Sequence, residues 1–182
     1  MAQLYNQQKK GVMAGFEIRD AVAEDLENII PLLPRLADFE IPEGREADEL
    51  WAGDKAMMLD WANGERNDIS VFVAITCESS EDDVTDNSTV SNSIVGVSAV
   101  SWRNDTHSGK SSAHLEILAL DKSVEGMGLG KRLLERAELH AIENDASSMT
   151  LHVYAVNNRA RKLYEKIGFE VEVIRYNKNL QN

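Results

Sequence analysis

Apolar and polar positions along the chain follow two periods, one typical of strands and one typical of helices. Short apolar runs predict strands over residues 16–19, 69–76, 94–102, 114–120, 150–155 and 169–176. Apolar residues at helical spacing predict helices over residues 23–37, 48–62, 128–144 and 158–167. The order β-α-α-β-β-β-α-β-α-β is that of a mixed α/β (α+β) domain whose N-terminal half is antiparallel.

Breaks in these patterns mark the limits of the domain and of its elements. Pro31 and Pro34 predict a kink or a break in the first helix. Residues 1–14 show no periodic pattern, so we expect a flexible tail. Residues 78–93 are acidic, rich in Ser and Asn and nearly free of apolar side chains, which predicts a flexible hairpin loop. Residues 15–182 then form a single domain.

Composition and charge exclude several classes of protein. No apolar run approaches the ~20 residues of a membrane span, and Cys77 has no second cysteine with which to form a disulfide. Both features predict a cytoplasmic protein that does not bind membranes. A net charge of −12 argues against nucleic acid as a partner. In residues 122–166, however, eight Lys/Arg outnumber six Asp/Glu, so this stretch is best suited to meet an anion.

Residues 114–134 place a buried strand, a turn with three alternate glycines and the start of a helix in succession. Such an arrangement binds phosphate on backbone N–H groups, and Gly126, Gly128 and Gly130 let a ligand approach the backbone closely. A Walker A loop is excluded because Arg132 stands where that loop needs Ser or Thr. A dinucleotide fingerprint is excluded because the third glycine comes one place early.

A second pattern lies in the last predicted helix. Asn157, Ala160 and Tyr164 stand at i, i+3 and i+7, so they share one helix face. Asn157 and Tyr164 are about 10 Å apart along the axis, with the small Ala160 between them. The helix therefore directs an amide and a phenol toward one groove.

The glycine turn and this helix together resemble the GCN5-related N-acetyltransferase (GNAT) superfamily. The family's second motif, Asn-x-x-Ala-x-x-Leu-Tyr-x-x-x-Gly-Phe, is matched in full by Asn157, Ala160, Leu163, Tyr164, Gly168 and Phe169. Its first motif, Arg/Gln-x-x-Gly-x-Gly/Ala after a bulged strand, is matched by Gly128 and Gly130, with Glu125 in place of Arg or Gln. The resemblance covers residues 16–178 and implies a mixed, mostly antiparallel central sheet flanked by helices.

The resemblance implies an N-acetyltransferase that moves an acetyl group from acetyl-CoA to a primary amine, by direct transfer in a ternary complex. Acetyl-CoA is then the cosubstrate. The family's cofactor contacts fall on Leu118, Ala119, Leu120, Glu125, Gly126, Met127, Gly128, Leu129, Gly130, Lys131, Asn157, Ala160, Arg161 and Tyr164. In the family, backbone N–H groups of the glycine turn hold the pyrophosphate, and Asn157 corresponds to a residue that holds the pantetheine arm.

Direct transfer needs a proton acceptor for the amine and a proton or hydrogen-bond donor for the departing thiolate. Glu116 is the predicted base, and His114, two residues away on the same strand face, is an alternate base or relay. Tyr164 is the predicted acid, although a phenol with a pKa of about 10 is better suited to a hydrogen bond than to full proton transfer. Structural alternatives stay open: an ion pair for Glu116, a satisfied buried histidine for His114 and a helix N-cap for Asn157.

The predicted acceptor is a cationic amine, in a small molecule or a peptide, because acidic residues crowd the early helical region: Asp38, Glu40, Glu43, Glu46, Asp48 and Glu49. A solvated acidic loop explains the same residues. The histidines lack the spacing of metal ligands, so no metal is predicted. We expect a monomer or a homodimer. A non-catalytic acetyl-CoA or acyl-CoA sensor with the same fold is the main alternative function, and an unrelated nucleotide-binding domain is a weaker one.

Overall fold

The computed structural model describes residues 15–77, 93–178 and 180. Its strands are β1 (Phe16–Asp20), β2 (Ile69–Thr76), β3 (Ile94–Asn104), β4 (Ser111–Leu120) and β5 (Ser148–Leu151). They form one sheet in the order β1-β2-β3-β4-β5. Neighbours from β1 to β4 pair antiparallel, and β5 pairs parallel to β4. The predicted mixed, mostly antiparallel sheet is confirmed.

Four α-helices flank the sheet in the described part of the chain: α1 (Leu26–Ile29), α2 (Ala52–Ala62), α3 (Leu129–Glu143) and α4 (Asn158–Lys166). Short 3₁₀ segments cover Ala23–Asp25, Ile30–Ala37, Asp48–Leu50 and Lys122–Val124. None of these helices is long and apolar enough to cross a membrane. The expected tail over residues 1–14 and nearly all of the expected loop over residues 78–93 lie outside the described residues, so both stay predictions.

Prolines reshape the first predicted helix. Residues 23–37 hold one short α-helix between two 3₁₀ segments instead of a continuous helix. Pro31 and Pro34 lack the N–H group that an α-helix needs, so the predicted break takes the form of a 3₁₀ segment. The second predicted helix also begins later than residue 48, because Trp51 has a non-helical φ of −131°.

Two apolar layers enclose the sheet. On one face the α1–α2 region buries Ile29, Leu33 and Met58 completely. On the other face α3 buries the stripe predicted from its helical spacing: Leu129, Leu133, Ala137 and Ala141. Burying one Leu side chain contributes about 1.5–3 kcal/mol, so these layers hold the sheet firmly between its helices.

A β-bulge in β4 decides which side chains face each layer. Val100 of β3 pairs with Leu115, and the adjacent Ala99 pairs with Ile117, so Glu116 is an extra residue on β4. Leu115 packs in the α3 layer, whereas Ile117 packs in the α1–α2 layer. In an unbroken strand these two residues would share a face. The alternation of β4 side chains between the two faces of the sheet is therefore reversed at Glu116, the predicted base.

The prediction of a last strand over residues 169–176 is wrong for the described residues, because the sheet ends at β5. β5 itself stops at Leu151 instead of continuing to residue 155. The Phe169 N–H donates to the Tyr164 carbonyl at 3.0 Å, which fixes the start of the segment. No backbone hydrogen bond between described residues involves residues 170–178. The alternating apolar residues are present, but nothing in the described chain pairs with their backbone.

We expect Gly128→Ala to lower the free energy of unfolding by about 1–2 kcal/mol. Gly128 precedes α3 with a φ of +79°, a left-handed conformation that strains an alanine. Gly53→Ala is the matched control, because Gly53 lies in the first turn of α2 without a positive φ or a close neighbour. That change should raise stability by up to about 1 kcal/mol. Urea denaturation measures both, and a Gly128→Ala variant as stable as the parent would contradict the assigned turn conformation.

Candidate active site

A cavity of about 420 Å³ lies where β4 and β5 separate. The two strands pair only between Ser112–Leu115 and Ser148–Leu151. Beyond these residues, Leu118–Leu120 line one wall of the cavity and His152–Tyr154 line another part of it. On this side the backbone of β4 past Leu115 has no strand partner within the described residues. An extended ligand can therefore pair with it as an added strand does.

The glycine turn lies at one end of this cavity, where Gly126, Gly128 and Gly130 all line it. The N–H groups of Leu129, Gly130 and Lys131 open α3 and bond to no acceptor among the described residues. They point along the positive end of the α3 dipole. Free N–H groups at a helix N-terminus fit a phosphate group.

Gly130 brings the cradle close to the strand that leads into it. A Cβ atom on Gly130 would lie 3.2 Å from Leu120 Cδ1 and 3.8 Å from Leu163 Cδ2. The missing side chain lets α3 pack against the end of β4 and against α4. The cradle, the β4 edge and the α4 face consequently border one space.

Glu125, the residue that departs from the family motif, is paired with two arginines. Its carboxylate accepts hydrogen bonds from Arg35, in a short ion pair, and from Arg159 Nη1 at 2.9 Å. Arg35 Nε also donates to the Leu120 carbonyl at 3.1 Å. Both arginines line the cavity. Two guanidinium groups thus balance the carboxylate that would otherwise oppose a polyphosphate.

Sequence reasoning did not assign either arginine to the site. Arg35 is 90 residues away from Glu125 along the chain, and no motif marks it. Arg159 does fall in the locally positive stretch over residues 122–166. That charge pattern was the one signal that could have found it.

The structure brings most of the predicted cofactor residues to the cavity wall. Those that line it are Leu118, Ala119, Leu120, Gly126, Gly128, Leu129, Gly130, Lys131, Asn157, Ala160 and Tyr164. Three predicted residues do not. Glu125 stands beside the wall, Met127 is 48% exposed, and Arg161 donates to the Ala155 carbonyl at 3.2 Å.

Asn157 caps α4 and lines the cavity at the same time. Its Oδ1 accepts the Ala160 N–H at 3.1 Å, which satisfies one of the free N–H groups at the start of the helix. The NH₂ group of the same amide is left as a donor. The N-cap role and a ligand-binding role are therefore compatible.

Tyr164 lines the cavity with its ring packed against Phe169, the two centroids lying 5.9 Å apart. Burial raises the pKa of Tyr164 to about 12. The phenol keeps its proton across the neutral pH range. Because a thiol has a pKa of about 8.5, Tyr164 is suited to donate a hydrogen bond to a thiolate and not to protonate it.

Glu116 lines the cavity at the bulge of β4, on the same side of the sheet as Ser101 and Arg103. Its carboxylate accepts short hydrogen bonds from the Ser101 hydroxyl and from Arg103. Burial alone would raise the pKa of Glu116, but these hydrogen bonds and the charge of Arg103 outweigh it, so the pKa is lowered. Glu116 is an ionised group at neutral pH, and Arg103 compensates its charge.

His114 lies behind the cavity wall. It is 4% exposed, its Nδ1 is 2.7 Å from the Thr150 hydroxyl, and its ring centroid is 4.7 Å from that of His152, which does line the cavity. Burial, aided by the positive charge of Arg103, lowers the pKa of His114 to about 4. The ring is therefore neutral at pH 7. Within the described ranges, no group of three His, Cys, Asp or Glu side chains could hold a metal ion.

Asp54 of α2 also lines the cavity, and sequence reasoning did not identify it. Burial, together with the negative charge of Glu116, raises the pKa of Asp54 to about 6. No sequence pattern indicated that Asp54 lies near Glu116, because their proximity depends on how α2 packs relative to β4. The cavity therefore holds two carboxyl groups of different character: Glu116, paired and ionised, and Asp54, which retains its proton more strongly.

The Acetyltransferase (GNAT) family model matches residues 37–169. The chain belongs to the GNAT acetyltransferase family. The match spans the glycine turn, the splayed strands and α4, and it confirms the resemblance seen in the two motifs. Acetyl-CoA is the cosubstrate of this family, and the N–H cradle of α3 fits its phosphates.

A relative that matches part of the chain agrees with this assignment. Mycothiol acetyltransferase from Propionibacterium freudenreichii subsp. shermanii is 33% identical over 63 residues, which are 35% of this chain and 20% of that protein. The chain thus matches about a fifth of the length of that relative.

Two solved structures share the fold. An acetyltransferase from Trypanosoma brucei has a TM-score of 0.59 and 23% identity, covering 91% of this chain and 99% of that chain. AAC(6')-Iy, in complex with the bisubstrate analogue CoA-S-monomethyl-acetylneamine, has a TM-score of 0.60 and 19% identity, with the same shares covered. Both likenesses extend over nearly the whole chain, so the α+β fold is that of these proteins.

We expect Glu125→Gln to tighten acetyl-CoA binding two- to fivefold, the effect of about 0.3–1 kcal/mol for one charge at a helix end. The change removes a negative charge and frees Arg35 and Arg159 for the polyphosphate. Glu125→Arg should act in the same direction. Glu143→Gln, the same change at the exposed far end of α3, is the control and should leave the Kd unaltered. Calorimetry that finds unchanged or weaker binding for Glu125→Gln would count against this role.

We also expect Asp54→Asn to stabilise the protein at pH 7 by about 1–3 kcal/mol. The folded pKa of Asp54, about 6, exceeds the ordinary value of 3.8, so the native state loses stability as the pH rises from about 4 to about 6. The variant should therefore gain in Tm at pH 7 and match the parent at pH 4. Asp60→Asn on the same helix is the control. A gain that is equal at both pH values would exclude a raised pKa as its cause.

Proposed function

We propose that this protein acetylates the primary amine of a cationic acceptor, taking the acetyl group from acetyl-CoA by direct transfer. The observation that carries this function is the single cavity that joins the N–H cradle of α3 to the carboxyl groups of Glu116 and Asp54. Donor and acceptor can meet there without an intermediate on the protein. No Ser or Cys nucleophile lines the cavity within the described residues, which supports direct attack by the amine.

Acetyl-CoA is assigned to the end of the cavity where backbone and side-chain groups have free hydrogen-bonding capacity. The N–H groups at the start of α3 hold the pyrophosphate, with Arg35 and Arg159 beside them. The β4 backbone at Leu118–Leu120 and the Asn157 amide hold the pantetheine arm. Acetyl-CoA supplies the activated acetyl group, and all further roles fall to side chains of this chain.

Negative charge at the end of the cavity away from the glycine turn supports a cationic acceptor. Arg103 compensates Glu116, and Asp38 at the cavity wall is paired with Arg35. No hydrogen bond or ion pair between described residues involves the side chain of Asp54, and its pKa is shifted by burial and by the charge of Glu116. Its carboxylate is consequently the one negative group in the described cavity wall that is left to attract an ammonium group.

Asp54 then accepts the amine proton. A general base works best when its pKa is near the working pH, and the pKa of Asp54, about 6, meets that condition better than the lowered pKa of Glu116. Glu116, the base that the sequence indicated, stays ionised beside Arg103 and raises the proton affinity of Asp54. His152 and the neutral His114 behind it are an alternate route for the proton.

Once neutral, the amine nitrogen forms a bond to the acetyl carbon, and the carbon–sulfur bond breaks. The Tyr164 hydroxyl donates a hydrogen bond to the departing thiolate and keeps its own proton, consistent with its high pKa. The thiolate takes its proton from solvent at the cavity mouth. As the amide forms, the nitrogen loses its second proton to solvent, and Asp54 afterwards releases the proton that it accepted. The products are an N-acetylated amine, CoA and one net proton, so charge and atoms balance.

The function is tested by measuring CoA release with acetyl-CoA and a panel of primary amines that differ in net charge. Polyamines and other polycationic amines should be acetylated, whereas amines that carry a carboxylate should not. Asp54→Asn should lower kcat/KM for the amine about 10²-fold and leave the Kd of acetyl-CoA unchanged. It should also remove an ascending limb near pH 6 from the pH profile of kcat/KM. Asp60→Asn should preserve both the rate and the limb.

A different outcome favours the sensor alternative. If acetyl-CoA binds tightly but no amine releases CoA faster than water does, the chain is an acetyl-CoA-binding module and not a catalyst. Stabilisation by ATP or NAD without stabilisation by acetyl-CoA would contradict both functions. Turnover that prefers acidic amines would overturn the acceptor class alone.

A further inference from the structure

Two carboxyl groups line the active-site cavity and differ in the contacts that they make. Glu116 lies at the bulge of β4 with a side chain that is 17% exposed, and it accepts short hydrogen bonds from the Ser101 hydroxyl and from Arg103. The side chain of Asp54, on α2, forms no hydrogen bond or ion pair with another described residue. The contrast between the two groups therefore begins with the side chains that hold Glu116.

The bulge is what brings Glu116 to these partners. Ala99 of β3 pairs with Ile117 and Val100 pairs with Leu115, so no residue of β3 lies directly opposite Glu116. Ser101 and Arg103 are two residues apart on β3 and share one strand face. The carboxylate can consequently reach along β3 to both of them.

Arg103 closes a ring of three hydrogen bonds. It donates to the Glu116 carboxylate, its Nε donates to the Ser101 hydroxyl oxygen at 3.3 Å, and the Ser101 hydroxyl donates to Glu116. Ser101 is only 2% exposed, whereas the side chain of Arg103 is 44% exposed. The guanidinium thus stays partly hydrated, which lowers the desolvation cost of the ion pair, and it fixes the orientation of the carboxylate from the rim of the site.

We propose that Arg103 is a positioning residue that assigns the role of base to Asp54 by holding Glu116, and that Glu116 takes over this role when Arg103 is removed. The inference rests on the proposed function, since it identifies what decides between the two carboxyl groups of that mechanism. Arg103 itself does not line the cavity, so it acts through Glu116.

The physical reason is that neighbouring carboxyl groups compete for one proton. Burial and the charge of Glu116 raise the pKa of Asp54 to about 6. Burial would also raise the pKa of Glu116, but the hydrogen bonds from Ser101 and Arg103 and the charge of Arg103 lower it instead. Without Arg103, the two groups would be similarly buried carboxyl groups that titrate as a coupled pair.

No other cation in the described residues replaces Arg103 beside Glu116. Arg66, which precedes β2, is paired with Asp68 at 2.7 Å. Burial, aided by the charge of Arg103, lowers the pKa of His114 to about 4, so this histidine is neutral at pH 7. His152, which follows β5, packs its ring against that of His114. Arg103 is consequently the one cationic side chain in the described chain that bonds to Glu116.

Carbon-13 NMR of the carboxyl groups in the ligand-free protein tests the hold of Arg103 on Glu116, with Glu116→Gln to assign the signal. In the parent, the pKa of Glu116 should lie below its ordinary value of 4.5. In Arg103→Gln it should lie above 4.5, because burial is then opposed by Ser101 alone. Arg66→Gln is the matched control, since it removes the same charge from a nearby pair, and the pKa of Glu116 should stay low.

Kinetics test the change of base. Asp54→Asn should lower kcat/KM for the amine about 10²-fold in the parent but only about tenfold or less in an Arg103→Gln background, because Glu116 then accepts the proton. Arg103→Gln alone should move the ascending limb of the pH profile above pH 6, since the coupled pair releases its last proton later. Arg103→Lys keeps the charge and should restore the limb. A merely structural role would lower the rate equally at every pH.

Ser101→Ala serves in both tests if Arg103→Gln does not fold, because it removes one of the two hydrogen bonds to Glu116 and should act in the same direction to a smaller extent. A pKa of Glu116 that is the same in the parent and in Arg103→Gln overturns the proposal. An undiminished effect of Asp54→Asn in the Arg103→Gln background also overturns it. The titration needs neither acetyl-CoA nor an amine, so a shifted pKa without turnover would contradict the proposed function and still support the hold of Arg103 on Glu116.

Discussion

The loss of pairing between β4 and β5 is the constraint on which the rest of the site depends. Up to Leu115 and Leu151 the two strands share backbone hydrogen bonds, and past these residues they share none. A fold normally avoids leaving a strand edge open in its interior, because unpaired N–H and C=O groups are costly when buried. Here the open edge becomes the wall of a cavity, where a ligand with amide groups of its own can satisfy it.

Around this gap, positive and negative groups lie at different ends of the cavity. Guanidinium groups and helix N–H groups gather at the glycine turn, while the carboxyl groups of Glu116 and Asp54 lie where β4 meets the α1–α2 region. Arg35 links the two ends, since it bonds to Glu125, Asp38 and the Leu120 carbonyl. A polyanion and an ammonium ion would therefore be drawn to different ends of the same cavity.

Local features of this architecture could be predicted from the sequence, and long-range ones could not. The buried stripe of α3, the αL glycine before it and the shared face of α4 depend on residues within a few positions of each other, so periodicity and motif reveal them. The partnership of Arg35 with Glu125 depends on how segments 90 residues apart pack, and that of Asp54 with Glu116 depends on the docking of α2. No local pattern encodes either.

The two errors in the strand assignment have the same origin. Residues 150–155 and 169–176 have strand composition, but strand formation also requires an available neighbour. Past Leu151 the neighbour has diverged, and past Phe169 none is present among the described residues. The residues favour strand conformation by propensity, but whether they form a strand depends on the neighbours that the topology provides.

The bulge at Glu116 has a consequence for how this gene can vary. A substitution at this position changes the chemistry of the cavity and leaves the register of β4 as it is, because the side chain lies outside both apolar layers. Deletion of the same residue would turn Ile117 and Ala119 toward α3 and Leu118 and Leu120 toward α1 and α2. Substitutions at position 116 are therefore compatible with the fold, whereas deletion of this position is not.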